Sequence, residues 1–186
     1  PGVALPLGPA EDDGAVEAKG AESLRALAAE EATVQEVAPA LYVYQLVMDG
    51  RPQVGVFACV SVAEYDDDTI LKHEKTRPTK EDDRTRHILT QEAHAEPVML
   101  TYRGTDAIDA LVNDAMEDKP LYDFTATDGV PHTLWKVDAP QPPVDAFAEA
   151  DHLYTADGHP RAAAPGRAAP ARPRHPQAPA GPARPL

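Results

Sequence analysis

LYVYQLVMDGRPQVGVFACVSV, residues 41–62, is the stretch with the clearest strand signals in the chain. Aliphatic, β-branched and aromatic residues dominate Leu41–Met48, and this composition is typical of strands. Asp49 and Gly50 then supply the residue pair favoured in a two-residue hairpin turn. We therefore predict a β-hairpin in which residues 53–62 form the return strand.

The rest of the chain mixes helical and extended patterns. Helices are predicted over residues 21–31, 79–93 and 144–150, and over an amphipathic stretch that Thr105 or Asp106 caps. Further strands are predicted over residues 97–103, expected to be buried, and over 121–126, 130–137 and 152–155. Because these elements do not alternate as βαβ units, the predicted class is α+β, with a mixed sheet, β-hairpins and a few packing helices.

Composition limits the class of protein. The chain has 186 residues, 42% of them hydrophobic, which is enough for one domain with a core. A net charge of -14 argues against a nucleic-acid partner, because phosphate backbones require a cationic surface, but it permits a local basic pocket. No membrane span or signal peptide is recognised, so we expect a cytoplasmic protein with no membrane partner. The single cysteine, Cys59, lies in an apolar run and is expected to be buried.

The densest cluster of charge is KHEKTRPTKEDDRTRH, residues 72–87. Its cationic residues are Lys72, Lys75, Arg77, Lys80, Arg84 and Arg86, and its acidic residues are Glu74, Glu81, Asp82 and Asp83. Two interpretations remain open. So many fixed cations suit a site for anions such as phosphates, whereas the mixture of signs also suits a helix face stabilised by salt bridges.

A second candidate site follows the last predicted strand, at Asp157-Gly158-His159 with Arg161 close behind. Glycine lets the backbone approach a ligand, and the three polar side chains offer an acid–base group or metal ligand and an anion contact. Such turns are also common in ordinary loops. The other histidines have no zinc-binding spacing and there is no second cysteine, so we expect no metal site.

From Pro160 onward the composition is almost entirely Ala, Pro, Arg and Gly. A disordered end, a basic interaction tail and a segment translated in the wrong reading frame are the three interpretations. We predict disorder, because Pro160, Pro165 and Pro170 should prevent a helix and little apolar surface is available to bury. The predicted organisation is a loop or fragment edge at 1–20, an incomplete α+β domain at 21–159 and a disordered tail at 160–186.

Five segments occur in order that together resemble a known family: LYVYQLVMDGRPQVGVFACVSVAEY, ILKHEKTRPTKEDDRTRHILT, PVMLTYR, LYDFTATDGVPHTLW and LYTADGH. The chain resembles the bacterial family of domain of unknown function 1015, over residues 21–159. That family continues its last motif as ADGHHR into a helix of small residues, whereas this chain has Pro160 and the tail. The chain therefore resembles an internal fragment of the family with an altered end.

The DGHHR turn of that family is similar to one in the ParB and sulfiredoxin-type superfamily. There the equivalent segment contacts nucleotide phosphates, and some members are free-serine kinases. The resemblance implies a nucleotide-dependent phosphotransferase that acts on a small hydroxylated metabolite such as serine and uses ATP or ADP with magnesium. Asp157, Gly158, His159 and Arg161 fall on the motif, while Pro160 departs from it and removes a backbone N–H.

The residues themselves agree with phosphoryl transfer in outline, since the reaction needs cations on phosphate oxygens and a carboxylate near the attacking hydroxyl. The candidate catalytic residues are Glu74, Asp157 and His159. The candidate residues for phosphate or nucleotide binding are Lys72, His73, Lys75, Arg77, Arg84, Arg86, Gly158 and Arg161. The alternatives are a non-catalytic nucleotide-binding regulatory module and an inactive truncated or frameshifted fragment. We expect this chain to lack activity, because no helix would follow the glycine turn.

Overall fold

The computed structural model describes residues 13–30, 33 and 36–171. Its helices are α1 (Asp13–Ala29), α2 (Val62–Asp66), α3 (Pro78–Gln91), α4 (Asp106–Glu117), α5 (Gln141–Ala148) and α6 (His159–Ala168). Its strands are β1 (Leu41–Met48), β2 (Arg51–Phe57), β3 (Ile70–Leu71), β4 (Met99–Tyr102), β5 (Tyr122–Thr125), β6 (Pro131–Val137) and β7 (Leu153–Asp157). The predicted α+β class is confirmed. No helix among the described residues is long and apolar enough to cross a membrane.

The chain divides into two compact units. Among the described residues, unit 1 combines those before Glu36 with Ser61–Thr101 and with the segment from Tyr154 to residue 171, and unit 2 combines Glu36–Val60 with Tyr102–Leu153. The strand order of the sheet in unit 2 is β2-β1-β6-β5, and a second sheet, ordered β3-β7-β4, lies largely in unit 1. The domain boundaries expected at residues 20 and 159 stay predictions.

The hairpin predicted from residues 41–62 forms the centre of unit 2. Asp49 and Gly50 adopt φ values of 52° and 74°, the left-handed pair that a two-residue turn requires, and Met48 pairs with Arg51. The return strand begins two residues earlier than expected and ends at Phe57. Strand β1 also pairs antiparallel with β6, where Val43 lies opposite Trp135, and both side chains are buried. The two residues thus form the centre of this unit's core.

Local signals also place the remaining elements of unit 2. The hydroxyl of Thr105 accepts a hydrogen bond from the Ile108 backbone N–H at 3.3 Å, which caps α4 as predicted. The second hairpin turns at Gly129, whose φ is 85°. The Trp135 indole N–H donates to the Asp118 carbonyl at 3.1 Å, so the one polar atom of this buried side chain is satisfied.

Two burial predictions are wrong. Cys59 is exposed, because β2 is an edge strand that ends at Phe57 and the cysteine lies beyond it. Strand β4 was expected to be buried, but Met99 is exposed and its neighbours alternate between exposed and half-buried. It too lies at the edge of its sheet, and an edge strand is covered less than a central one.

In unit 1, α3 begins at Pro78 as its first helical residue, which confirms the predicted start. It packs against both α1 and α6. Helix α1 begins at Asp13, whereas residues 1–20 were expected to be a loop; residues 1–12 lie outside the described residues. Its many Ala, Glu and Leu residues favour a helix despite two glycines, and contact with α3 stabilises it further.

Helix α6 contradicts the prediction that no helix forms across Pro160 and Pro165. Pro160 lies in the first turn, where its missing N–H would have had no partner within the helix. Pro165 cannot donate to the carbonyl four residues earlier, that of Arg161. The His94 Nε2 atom lies 3.3 Å from this carbonyl oxygen and can donate to it in the appropriate tautomer. A side chain from outside the helix thus replaces the lost hydrogen bond.

Small side chains give α6 its packing surface. Ala164 and Ala168 are buried, and the helix contacts α3 and α2. The sequence interpretation counted only large apolar residues, but alanine allows two helices to approach closely and to bury backbone as well as side chain. The rest of the predicted disordered tail, from residue 172, lies outside the described residues.

We predict that Ala164→Leu destabilises unit 1, because three extra carbon atoms cannot fit at a fully buried position. The expected loss is about 1–3 kcal/mol in the free energy of unfolding, measured by urea denaturation. The matched control is Ala169→Leu at an exposed position just after α6, which should change the stability by less than about 0.5 kcal/mol. Equal, negligible effects of both substitutions would mean that this segment is not packed.

Candidate functional site

The structure brings together two motifs that lie far apart in the sequence. His159, the first residue of α6, is buried, and its Nδ1 atom lies 3.6 Å from the Glu74 Oε1 atom. The ring of His159 also packs edge-to-face against the ring of His73, with 4.3 Å between the ring centres. The segment around residues 72–75 therefore meets the Asp157-Gly158-His159 turn within unit 1.

Gly158 makes this meeting possible. Its φ of 87° lies in the left-handed region, and it forms the N-cap of α6 directly after β7. A Cβ atom at this position would lie 2.9 Å from the Nε atom of Arg161. The backbone angle therefore favours glycine, and any side chain there would also displace the Arg161 guanidinium from its present position.

The first turn of α6 leaves backbone donors at the same place. Hydrogen bonding along the helix begins with the Ala162 N–H, which donates to the Gly158 carbonyl at 2.9 Å. The N–H groups of His159 and Arg161 precede that bond, and Pro160 between them has none. The positive end of the helix dipole lies here too, so the position favours an anion, with one donor fewer than an ordinary helix offers.

Arg161 is held on both sides by carboxylates. Its guanidinium donates to Glu96 at 3.0 Å and to Asp157 at 3.0 Å. Arg84 lies 3.8 Å from the same Glu96 carboxylate and 3.0 Å from Asp83. The hydrogen bond from Arg161 is the main cause that holds the pKa of Glu96 below its usual value, with further contributions from Arg84 and His87.

Glu96 is also the one carboxylate on a shallow basic cavity. The cavity is about 10 Å³, room for about one water, and it is lined by Arg84, His87, Ile88, His94, Ala95, Glu96 and Arg161. Two arginines, both of them paired with acids, and two histidines share the cavity wall with this one carboxylate. Sequence reasoning missed Glu96 and His94, because both lie after the charged block and are joined to it only by the fold.

The cations of the charged block divide into two groups. Lys72 pairs with Asp68 at 2.6 Å and lies over the ring of Tyr65, and Arg86 pairs with the buried Glu17 at 2.8 Å. Lys75, Arg77 and Lys80, by contrast, form no ion pair with any residue that the structure describes, and all three are exposed. Lys80 lies on α3, whereas Lys75 and Arg77 belong to the segment that meets the glycine turn, so these two are the block's candidates for contact with an external anion.

The helical half of the block is a salt-bridged face. Arg167 of α6 pairs with Asp82 and with Glu81, the latter at 2.9 Å, and Thr76 donates a hydrogen bond to Glu81. The ion pair with Asp82 is the main reason why the pKa of Arg167 is raised. A helix face stabilised by salt bridges is therefore the interpretation that fits α3. The residues of the block that reach the glycine turn lie before α3, within residues 72–77.

Two buried polar atoms lie beside the site without a hydrogen-bond partner among the described residues. They are the Nε2 atom of His159 and the Oγ1 atom of Thr155, which is in β7. A buried polar atom that lacks a partner costs roughly 1–3 kcal/mol, so such atoms are uncommon outside sites that use them. The sequence pointed to His159, but nothing in it distinguished Thr155.

Comparison with known proteins gives one match. The family described as protein of unknown function (DUF1015) matches residues 1–184. The match extends beyond the range of 21–159 on which the resemblance was based. No curated protein and no solved structure matches the chain.

We predict that the ion pairs of Glu96 make stability depend on acid pH. Its pKa is lowered in the folded chain, so the carboxylate contributes stability above its unfolded pKa, near 4.5, and loses that contribution as the pH falls through the folded pKa. Glu96→Gln should therefore lower the unfolding free energy at pH 7, by at most about 1 kcal/mol for so exposed a pair, and the difference from wild type should shrink as the pH is lowered from 7 towards 3.

The matched control is Glu117→Gln, which alters an exposed carboxylate that forms no ion pair with a described residue. Urea denaturation of both variants at the two pH values measures the effect. A Glu96→Gln deficit that stays the same from pH 7 to pH 3 would show that the charge of Glu96 is not its source.

Proposed function

We propose that members of the DUF1015 family of proteins of unknown function, to which this chain belongs, transfer a phosphoryl group from a nucleotide to a small hydroxylated metabolite such as serine. The observation that carries the proposal is the position of Glu74, 3.6 Å from a buried histidine at the start of α6. It places a carboxylate, an imidazole and a helix N-terminus around one point. Phosphoryl transfer can use the carboxylate to orient the attacking hydroxyl and the helix N-terminus to stabilise phosphate oxygens.

The phosphates would bind at the glycine turn. The N–H groups of His159 and Arg161 and the positive end of the dipole of α6 favour an anion there. Lys75 and Arg77, which have no ion-pair partner among the described residues, would add fixed cations from the other motif. Pro160 weakens this site by one donor but does not abolish it. The expectation that this chain is inactive depended on a missing helix, and α6 is present.

Glu74 would act on the acceptor. An exposed carboxylate can accept a hydrogen bond from the metabolite's hydroxyl, orient its oxygen towards the γ-phosphorus and take the proton as the new O–P bond forms. The bond from the γ-phosphorus to the bridging oxygen breaks, and a nucleoside diphosphate leaves. His159 would fix Glu74 through the contact between them. Magnesium would enter with the nucleotide as part of the substrate, and Asp157, also exposed, offers it a carboxylate.

A non-catalytic nucleotide-binding module is the second candidate, because one observation favours it. Arg161, which falls on the nucleotide-contacting motif, is already paired with Glu96 and Asp157, and so is not a free cation. A site with fewer available charges can bind a nucleotide without stabilising the charge of the transition state. Turnover distinguishes the two candidates. The superfamily relationship, the cytoplasmic location and the reading-frame hypothesis for the tail stay predictions.

We predict that the full chain binds ATP or ADP in the presence of magnesium, measured by calorimetric titration with a panel of nucleotides. Lys75→Gln and Arg77→Gln should each weaken binding about 10- to 100-fold, as expected for loss of a charged hydrogen bond, and leave stability unchanged. Lys19→Gln is the control, because it removes an exposed lysine elsewhere in unit 1. Phosphate transfer to serine and related hydroxylated metabolites is then assayed with Glu74→Gln as the inactive variant.

The absence of binding by every nucleotide at millimolar concentration would overturn both candidates. Binding without transfer to any acceptor would leave the regulatory module. Equal weakening by Lys19→Gln would mean that the effect is general electrostatics and not a site.

A further inference from the structure

We infer that His73, Glu74 and His159 form a binding site for one divalent transition-metal ion. Their donor atoms all lie within 4.8 Å of one another, although the sequence spacing of the histidines predicted no metal site. This inference does not depend on the proposed phosphotransferase activity, because the metal would bind in the absence of any nucleotide.

The geometry is close to that of a bound ion. In a tetrahedral zinc site with bonds of about 2.0–2.1 Å, neighbouring donor atoms are roughly 3.4 Å apart. The Nδ1 atom of His159 and the Oε1 atom of Glu74 are already 3.6 Å apart. His73 and Glu74 are exposed, so a shift of about 1 Å by their side chains would bring all three donors to bonding distance.

The burial of His159 is the independent observation. It is the first residue of α6, directly after β7, and its side chain is buried. The ring nitrogen that faces the site is Nδ1, 3.6 Å from Glu74, and the His73 ring packs against the same imidazole. A metal ion is one partner that uses this Nδ1 atom, a second imidazole and a carboxylate together.

The donor set indicates the class of metal. Imidazole nitrogens favour zinc, cobalt, nickel, copper and iron, whereas magnesium and calcium prefer sets made only of oxygen. Three protein ligands leave at least one coordination position open for water or a substrate oxygen, as in catalytic and not structural zinc sites. In this site Glu74 would be a metal ligand, whereas in the proposed phosphoryl transfer it accepts the proton of the metabolite's hydroxyl.

The test is a titration of the full, chelator-treated chain with Co²⁺ and with Zn²⁺, without nucleotide. Cobalt reports its ligands through visible absorption, and calorimetry gives the zinc stoichiometry and affinity. We expect one equivalent to bind. His73→Ala and Glu74→Gln, both at exposed positions that do not threaten folding, should each weaken binding at least about tenfold and change the cobalt spectrum. The controls are His87→Ala and Glu22→Gln, which should bind like wild type.

Unchanged cobalt and zinc binding in the His73→Ala and Glu74→Gln variants would overturn the inference, and so would no binding by wild type. The approach of His159 to Glu74 would then be a contact between two side chains and no metal site. Metal binding with no nucleotide binding would support this site and overturn the phosphotransferase, while nucleotide binding to a chain that takes up no metal would do the reverse.

Discussion

The left-handed conformation of Gly158 is the constraint on which the arrangement of the site depends. It turns the chain from β7 into α6 within one residue, so that His159 points into the interior of unit 1 and Arg161 folds back over the turn. Any other residue would meet the Arg161 side chain and would strain the backbone. The contact of His159 with Glu74, and with it both proposals made above, follows from this one turn.

The second physical theme is the division of charge within residues 72–87. On α3 most charges are paired, several of them with other helices, such as Arg86 with Glu17, and Glu81 and Asp82 with Arg167. Lys80 is the exception among the helix's cations, since it has no ion-pair partner among the described residues. Just before α3, Lys75 and Arg77 have no ion-pair partner among the described residues. The salt-bridge interpretation of this block therefore applies to α3, and the anion-binding interpretation applies to the residues just before it.

Local chemistry explains which elements could be predicted from the sequence. The turn at Asp49-Gly50, the cap at Thr105 and the proline at the start of α3 each act through residues close in the chain, so their elements were found within a few residues. The sequence also made Glu74 and His159 candidate site residues, but it did not show that they touch. That contact, and the pairing of Arg161 with Glu96, joins segments that only the fold brings together.

The prediction that no helix forms at residues 159–168 was wrong for a similar reason. Its composition of proline and small residues is typical of disorder, and nothing near it in the sequence shows that His94 lies by the carbonyl that Pro165 leaves without a donor. Nor does composition show that alanines can be as buried as the large residues of a core, as Ala164 is. Burial in cores is often judged by large side chains, and that criterion does not recognise helices that pack through their backbones.

The order of α6 is the central claim, because it positions His159 and the helix N-terminus together. Hydrogen–deuterium exchange followed by mass spectrometry measures it directly on the full chain. We predict that the backbone amides from Ala162 to Ala169 exchange at least about tenfold more slowly than in the unfolded chain, and that those of α3 do the same. Exchange of this segment at the unfolded rate, while α3 stays protected, would show that α6 is not ordered.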